Sequence, residues 1–274
     1  MYIGGKRALA PRIIERLAVI PHTTYVEPFV GMGGVFLRRP FMAPAEVIND
    51  ISQDVATLFR VLQRHYVPLM DMLRWQLTSR TEFERLLAAN ADSLTDLERA
   101  ARFLYLQRTA FGGKVAGRSF GVSVAMPGRF DVGKLGTMLE HVHQRLAGVV
   151  IERLPWADLL ARYDRPATLF YLDPPYWGSE TDYGSGVFAR SDFERMAAVL
   201  AGLKGRFLLS LNDVPEVRRT FAGFTVEEVS TTYGISGVAQ RVGELLISRE
   251  PGAGSREPDI APPEKPLKRR KLTS

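Results

Sequence analysis

The chain has 274 residues, of which 46% are hydrophobic and 24% charged, and its formal net charge is +6. This composition is that of an ordinary globular protein, and no apolar run reaches the roughly 18 residues that a membrane span requires. The absence of cysteine excludes disulfides, thiolate metal sites and cysteine nucleophiles. The opening MYIGGKRALA lacks the apolar core of a signal peptide, so we expect a cytoplasmic protein with no membrane partner.

The first fifty residues alternate between helix, strand and glycine-rich turn. Residues 7–19 have the spacing of an amphipathic helix, and TYVE at 24–27 is a predicted short strand. The turn GMGG at 31–34 then leads to a second predicted strand, EVIND, at 46–50. This order is typical of one half of a nucleotide-binding sheet.

The middle of the chain has a different pattern. From about residue 54 to residue 110, apolar residues recur at helical spacing. The stretch 111–130 is irregular and rich in glycine and arginine. We therefore expect 53–130 to be a helical and loop-rich insertion after the second strand.

Regular alternation resumes beyond residue 131. Helices are predicted at 133–147, 156–163 and 191–203, and strands at 149–154, 168–173, 206–213, 224–233 and 242–250. Such a series predicts an α/β fold, with a mostly parallel sheet between two layers of helices. The last two strands, joined by a loop containing Gly234, Ser236 and Gly237, predict an antiparallel hairpin at one edge. Residues 251–274 are basic and rich in proline, which predicts a disordered tail.

The glycine turn and Asp50 form the first candidate site. Glycines let the backbone approach a ligand closely, and an acid at the tip of the second strand accepts hydrogen bonds from ribose hydroxyls. Asp50 follows Gly31 by 19 residues, which fits this arrangement. NAD, FAD and S-adenosylmethionine are all bound in this way, and a purely structural turn would have the same pattern, so this feature alone leaves the ligand open.

The stretch TLFYLDPPYWGS at 168–179 forms the second candidate site. Two prolines end the strand abruptly, because neither donates a backbone hydrogen bond, and they present Asp173 and Tyr176 at the edge of the sheet. The Asp173 carboxylate and the Pro174 carbonyl can each accept one N–H of an exocyclic amino group, which aims the nitrogen lone pair at an electrophilic methyl. Tyr176 can stack on the base. A rigid strand-ending turn with no chemical role is the alternative.

Several short motifs resemble one family, the Dam-type DNA adenine N6-methyltransferases of bacteria and phages. The similarity covers nearly all of residues 2–249. The motifs, in chain order, are YIGGK (2–6), VEPFVGMGGVF (26–36), VINDISQDV (47–55), LDPPY (172–176), SLND (210–213) and VGELLIS (242–248). The resemblance implies a Rossmann-like methyltransferase fold, with 1–52 and 131–250 as the catalytic domain and 53–130 as the DNA-recognition insertion.

The resemblance also implies a cofactor, a product and a set of site residues. The cofactor is S-adenosylmethionine, the product is S-adenosylhomocysteine, and no metal is expected. The implied cofactor-binding residues are Tyr2, Lys6, Glu27, Phe29, Gly31, Gly33, Asp50 and Asp173. The implied catalytic residues are Asp173, Pro174 and Tyr176. The expected partner is DNA, and we expect a monomer.

The insertion departs from the family. Members commonly carry N-R-x-G-[FY]-N-G-x-x-R there, whereas this chain has QRTAFGGK at 107–114, with Gly112 in place of the usual asparagine and Ala116 near the expected arginine. Basic side chains there can hold phosphates, which position DNA without specifying its sequence. The candidate DNA-binding residues are Arg108, Phe111, Lys114, Arg118 and Arg129. A relaxed or different target sequence is therefore expected.

Several other functions share part of this pattern. Cytosine C5 methylation is excluded because it requires a cysteine. Cytosine N4 methylation more often uses serine in place of Asp173, and RNA or protein glutamine methylation more often uses asparagine. An NAD-dependent oxidoreductase would share the glycine turn and Asp50 but would not explain DPPY. An inactive DNA-binding module would have lost the motif residues, all of which are present.

Overall fold

The structure is a computed structural model, and it describes residues 9–111, 118–121, 128, 130–180, 186–235 and 238–249. The described strands are β1 (Thr24–Glu27), β2 (Ala45–Asn49), β3 (Val150–Glu152), β4 (Thr168–Leu172), β5 (Arg206–Asn212), β6 (Thr225–Ile235) and β7 (Val238–Ser248). The described helices are α1 (Ala10–Ala18), α2 (Gln53–Arg64), α3 (Tyr66–Arg74), α4 (Arg80–Ala88), α5 (Asp96–Thr109), α6 (Val132–Arg145), α7 (Trp156–Tyr163), α8 (Ser191–Gly202) and α9 (Pro215–Thr220).

The strands form one sheet in the order β3-β2-β1-β4-β5-β7-β6. The first five strands in this order are parallel, with Val26 opposite Val47 on one side and opposite Phe170 on the other. The strand order reverses between β1 and β4, and a ligand crevice is expected at the carboxyl ends of the strands at such a point. The α/β fold with a mostly parallel sheet is confirmed.

The antiparallel edge is confirmed, and its hairpin is longer than predicted. β7 lies between β5 and β6, and it pairs antiparallel with both. The β6–β7 ladder continues to the pair Ile235↔Val238, so Gly234 is a strand residue rather than part of a loop. Two strands joined by two residues favour this continued pairing. The predicted loop residues Ser236 and Gly237 lie outside the described residues.

Helix α9 was not predicted from the sequence. It has six residues, with Pro215 in the first turn and Glu216 beside it. Proline at that position loses no hydrogen bond, since the first N–H groups of a helix have no partner within the helix. The segment is too short to show a helical period, so proline and glutamate in the first turn were the only sequence signal of this helix.

The crossover from β2 to β3 contains helices α2 to α6. Ser52 caps α2 by accepting from Val55 N, and Thr95 begins α5 with a capping box closed by Glu98. One buried cluster joins these helices to one face of the sheet, with Leu58 of α2 and Leu104 of α5 packed in the same core as Tyr25. The insertion at 53–130 thus shares its core with the sheet, and its separate role stays a prediction.

The opposite face of the sheet is covered by α7, α8 and α9. Phe170 and Leu211 of the sheet pack there in a second buried cluster, together with Phe193 of α8 and Trp156 of α7. Each face of the sheet is therefore buried under helices, as the sequence predicted. Among the described residues, no helix combines the length and the apolar character that a membrane crossing demands. The predicted tail, 251–274, lies outside the described residues.

Candidate active site

The candidate site lies where β1, β2, β4 and β5 end. Glu27 and Asn49 are the last residues of β1 and β2, and Leu172 and Asn212 are the last residues of β4 and β5. Because these strands are parallel neighbours, the segments that follow them meet at one edge of the sheet. The glycine turn and the DPPY segment, which are about 140 residues apart in the sequence, are thereby adjacent in the fold.

The glycine turn after β1 has a backbone that suits glycine. Gly31 and Gly33 have φ angles of +49° and +73°, in the left-handed region that other residues rarely adopt. A side chain at Gly33 would also place its Cβ 2.8 Å from Cγ of Leu37. The turn is closed by a hydrogen bond of 2.8 Å from Gly33 N to Val30 O. Two of the predicted cofactor-binding residues are thus glycines for a structural reason.

Asp50 fixes the glycine turn to the end of β2. Its Oδ2 accepts from Gly31 N at 2.9 Å, and its Oδ1 accepts from Ser52 N at 2.9 Å. Burial raises the pKa of the Asp50 carboxyl, and these two backbone donors oppose that rise. A carboxylate has about four lone-pair sites. Asp50 therefore keeps the capacity to accept from ligand hydroxyls while it holds the turn.

Glu27, the last residue of β1, is buried at the edge of the sheet, with only 2% of its surface exposed. Its Oε2 accepts from the Tyr25 hydroxyl at 2.9 Å. Burial raises the pKa of Glu27 to about 8, the charge of Asp173 adds to the rise, and the Tyr25 hydroxyl and Arg39 oppose it. A buried carboxyl without a paired cation is costly to ionise. The site thus favours a positively charged ligand next to Glu27.

A buried network of charges lies behind β1 and was not found from the sequence. Glu46 accepts from Arg39 Nη1 at 2.9 Å and from Arg145 Nη1 at 2.6 Å. The Arg39 guanidinium carbon lies 3.5 Å from the centre of the Tyr25 ring. Arg39 and Arg145 come from segments about 100 residues apart, so no local pattern reveals their meeting. The network fixes Tyr25, and through it the hydroxyl that contacts Glu27.

Asn49 connects three segments on the side of the crevice that contains the glycine turn. Its Nδ2 donates to Pro28 O at 2.9 Å and to Leu154 O at 3.1 Å, and its Oδ1 accepts from Leu154 N at 2.8 Å. It thereby holds the Glu27-Pro28-Phe29 segment against the end of β3. The Phe29 ring is partly buried and lies edge-on to Phe188, with 6.1 Å between centroids. Asn49 was not among the predicted site residues.

The DPPY segment begins directly after β4, and its acid is oriented from β5. Ser210 Oγ lies 3.2 Å from Asp173 Oδ1, and the Tyr171 hydroxyl lies 3.0 Å from Ser210 Oγ. Burial and the nearby Asp173 charge raise the pKa of Tyr171 well above its ordinary value, so the phenol stays protonated. Tyr171 can therefore donate to Ser210. The single Ser210 proton then has two acceptors, Asp173 Oδ1 and Leu172 O at 3.4 Å, and we assign it to the nearer, charged carboxylate. Pro174 is buried beside this chain of hydrogen bonds.

The residue after DPPY is held by the last residue of β5. Trp177 N donates to Asn212 Oδ1 at 2.9 Å, and Asn212 Nδ2 donates to Trp177 O at 3.1 Å. Tyr176 is half-buried and begins a turn in which Ser179 N donates to Tyr176 O at 2.9 Å. Gly178 has a φ of +90° in this turn. Ser210 and Asn212 lie within the SLND motif at 210–213, and neither was among the predicted site residues.

Three of the candidate DNA-binding residues are described. Phe111 is 59% exposed. Arg118 donates to Gln107 Oε1 at 3.3 Å. Arg108 is half-buried, and burial lowers the pKa of its guanidinium. No hydrogen bond or ion pair to Arg108 is seen within the described ranges, so this cation can bind an anion.

The structure brings most of the predicted site residues to one edge. Glu27 is the last residue of β1. The segments that follow β1, β2 and β4 contain the other seven, Phe29, Gly31, Gly33, Asp50, Asp173, Pro174 and Tyr176. Tyr2, Lys6, Lys114 and Arg129 lie outside the described residues, and their roles stay predictions. In the part of the chain that the structure describes, no group of three or more His, Asp or Glu side chains could hold a metal ion.

Comparisons with known proteins agree with this arrangement. The sequence profile described as "D12 class N6 adenine-specific DNA methyltransferase" matches residues 2–235. The DNA adenine methylase of Escherichia coli K12 is 26% identical, with 93% of this chain and 95% of the relative covered. The type II methyltransferase M.CviBI of Paramecium bursaria Chlorella virus NC1A is 21% identical, with 82% and 86% covered.

A longer phage protein also matches. The DNA N-6-adenine-methyltransferase of Escherichia phage P1 is 25% identical over 90% of this chain, which corresponds to 35% of the relative. The residues matched by the family profile include the glycine turn, Asp50 and the DPPY segment. The chain belongs to the D12 class of N6 adenine-specific DNA methyltransferases.

Proposed function

We propose that this protein transfers a methyl group from S-adenosylmethionine directly to N6 of adenine in DNA, with the target base turned out of the stack. The observation that carries the proposal is the chain of hydrogen bonds from Tyr171 through Ser210 to Asp173. It orients an acid at the carboxyl end of β4, where the crevice also contains the glycine turn. The sequence resemblance and the family membership point to the same reaction.

The reactive nitrogen needs acceptors because its lone pair is delocalised into the base. We propose that the Asp173 carboxylate and the Pro174 carbonyl each accept one N–H, which localises the lone pair and aims it at the methyl carbon. The bond that Asp173 accepts from Ser210 keeps the carboxylate in one orientation. Tyr176, half-buried in the same segment, would stack on the extruded base.

The electron count of the step is simple. The lone pair of N6 forms the new N–C bond, and the C–S bond breaks with its electrons remaining on sulfur. N6 then carries a positive charge and loses one proton, which Asp173 accepts or passes to water. No covalent bond to the protein forms, in agreement with a chain that contains no cysteine.

The residues on the cofactor side fit S-adenosylmethionine. When bound, this molecule supplies an electrophilic methyl on a positively charged sulfur. Asp50, already an acceptor of two backbone N–H groups, would accept from ribose hydroxyls. The buried Glu27 carboxyl would ionise next to a cationic ligand, because the positive charge of the ligand favours the carboxylate and offsets the cost of its burial. Phe29 would line the pocket, and Tyr2 and Lys6 complete the proposed set.

We propose that the insertion at 53–130 binds DNA. Phe111 offers an exposed ring, and Arg108 and Arg118 offer guanidinium groups near the end of α5. Lys114 and Arg129 belong to the same proposed set. These contacts would position the duplex through phosphates. The protein would act as a monomer in the cytoplasm of a bacterial or phage-infected cell.

The decisive experiment identifies the labelled nucleoside. Unmodified duplex DNA is incubated with the protein and tritium-labelled S-adenosylmethionine, then digested to nucleosides and separated. Label in N6-methyladenine is the expected result. Label in N4-methylcytosine would overturn the assigned base. DNA that takes up no label would overturn the proposed reaction.

A further inference from the structure

We infer that Asn212 is a positioning residue for methyl transfer, which acts by holding the peptide of Trp177 and thereby the Asp173-Pro174-Pro175-Tyr176 segment. The inference rests on the proposed function. The Asn212 side-chain amide pairs with both backbone polar groups of Trp177: Trp177 N donates to Asn212 Oδ1 at 2.9 Å, and Asn212 Nδ2 donates to Trp177 O at 3.1 Å. No other hydrogen bond to this backbone occurs in the part of the chain that the structure describes.

The reason lies in the prolines of the motif. The parallel ladder between β4 and β5 ends at the pair Leu172↔Leu209. Beyond it, Pro174 and Pro175 have no N–H to continue the ladder. The side chains of Ser210 and Asn212, two residues apart on one face of β5, supply the missing connections. Ser210 holds Asp173 at the start of the segment, and Asn212 holds Trp177 at its end.

The side chain of Trp177 is fixed separately from its backbone. Its ring lies 5.0 Å from the Phe193 ring, and the Arg190 guanidinium carbon lies 4.7 Å from it. Arg190 in turn donates to Glu180 at 3.1 Å. Loss of Asn212 would therefore leave the indole in place and leave Tyr176 O bound by Ser179 N, but it would free the N–H and the carbonyl of Trp177. The Tyr176 ring and the Pro174 carbonyl would then be positioned less closely.

The opposite side of the crevice provides a matched control. Asn49 is likewise the last residue of a strand, β2, and it holds the backbone of Pro28 and Leu154 with three hydrogen bonds. Asn49 contacts the segment proposed to bind the cofactor, whereas Asn212 contacts the segment proposed to bind the base. The two asparagines have the same side chain and a similar place at the end of a strand, but Asn49 is buried and Asn212 half-buried. They differ in the part of the site that they support.

The first measurement separates these two supports by kinetics. Because a misplacement of about 1 Å costs on the order of 100-fold in rate, N212A should lower kcat by about 100-fold. Its KM for S-adenosylmethionine should stay within about threefold of wild type. N49A should instead raise that KM by more than it lowers kcat. A kcat for N212A within about threefold of wild type, or equal losses in kcat and cofactor affinity, would overturn the inference.

The second measurement uses N212D, which keeps the shape of the side chain. The ionised carboxylate still accepts from Trp177 N but repels Trp177 O, whereas the protonated carboxyl offers both an acceptor and a donor. An ordinary aspartate has a pKa of about 3.9, so at neutral pH N212D should keep only the bond from Trp177 N and should lower kcat about as much as N212A does. A kcat for N212D near the wild-type value at pH 7 to 8 would contradict the role of the two hydrogen bonds.

The two proposals fail in different ways. A wild-type protein that forms no N6-methyladenine would refute the proposed function. Where the wild type labels another nucleoside, the ratio of variant to wild-type rate still tests Asn212. A duplex with 2-aminopurine at the target position adds a direct signal, since the fluorescence of the turned-out base is quenched by stacking. N212A should bind this duplex with less quenching than wild type, and equal quenching would count against the inference.

Discussion

The two sides of the crevice are built from different partners. On the side proposed to bind the cofactor (the cofactor side), Asp50 accepts from two backbone N–H groups, those of Gly31 and Ser52. On the side proposed to bind the target base (the target side), Asp173 accepts from the Ser210 hydroxyl, and the following loop is held by the Asn212 amide. Glycines expose backbone donors, whereas prolines remove them. A motif with two prolines must therefore be supported by side chains from the neighbouring strand.

The two sides also differ in charge. On the cofactor side, burial raises the pKa of Glu27 to about 8, so this carboxyl is mainly neutral at pH 7 until a cation is near. On the target side, the buried phenol of Tyr171 stays protonated because burial raises its pKa. The first group is suited to gain charge when a ligand binds. The second is suited to keep its proton and orient Asp173 through Ser210.

The largest effect should come from Asp173. Because Asp173 is proposed to accept from the reacting amine, D173A should lower kcat by on the order of 1,000-fold. Cofactor and DNA affinities should fall much less. The comparison becomes sharper with S210A, which leaves the carboxylate but removes its orienting donor and should cost on the order of 10-fold in kcat. Single-turnover methylation measures both variants, and wild-type activity in D173A would refute the catalytic role.

Asp50 tests the cofactor side. D50A removes the acceptor of two backbone donors and of the proposed ribose contact, so KM for S-adenosylmethionine should rise by on the order of 10- to 100-fold. The change in kcat should be smaller. The control is S52A, which weakens the cap of α2 by about 1 kcal/mol but keeps the Ser52 N–H that contacts Asp50. An equal rise in KM for S52A would show that helix stability, not the carboxylate, sets the affinity.

The difference in charge between the two sides can be tested by the pH dependence of the free energy of unfolding, measured for wild type and E27Q. Since burial raises the pKa of Glu27 from its ordinary value of 4.5 to about 8, the folded state holds a proton that the unfolded state has lost between these pH values. The free energy of unfolding should therefore fall as the pH rises through this window, by at most about 1.4 kcal/mol per pH unit from this group. E27Q should lack this fall.

Urea unfolding of the cofactor-free protein at several pH values measures the Glu27 effect. The useful quantity is the difference in pH dependence between wild type and E27Q, because other groups contribute equally to both. Parallel curves would show that Glu27 is ionised in the folded protein. Such a result would remove the distinction in charge between the two sides of the crevice.

The smallest effect should come from the insertion. R108A should weaken DNA binding by a few-fold, similarly for all sequences, and reduce the salt dependence by about one phosphate contact. R85A is the control, because Arg85 is exposed and already pairs with Glu82. Binding measured at several salt concentrations gives the result. An unchanged salt slope for R108A would remove Arg108 from the proposed DNA contacts.

Much of the fold could be predicted because its signals are local. The alternation of strands and helices, the glycine turn and the end of β4 at the prolines each lie within a few consecutive residues, and the structure confirms them. Helix α9 was missed because six residues are too few to show a period. The predicted hairpin was shorter than the observed one because Gly234 indicated a loop, whereas the pairing of β6 with β7 continues through this residue.

The kind of site could be predicted from the sequence, because DPPY, the glycine turn and Asp50 each lie within one short segment. The contacts that hold this chemistry in place become visible only in the folded chain. The bonds from Ser210 to Asp173 and from Asn212 to Trp177 join residues 37 and 35 positions apart, and those from Asn49 to Leu154 span 105. Such contacts depend on which strands become neighbours and in what register, which is a property of the whole sheet.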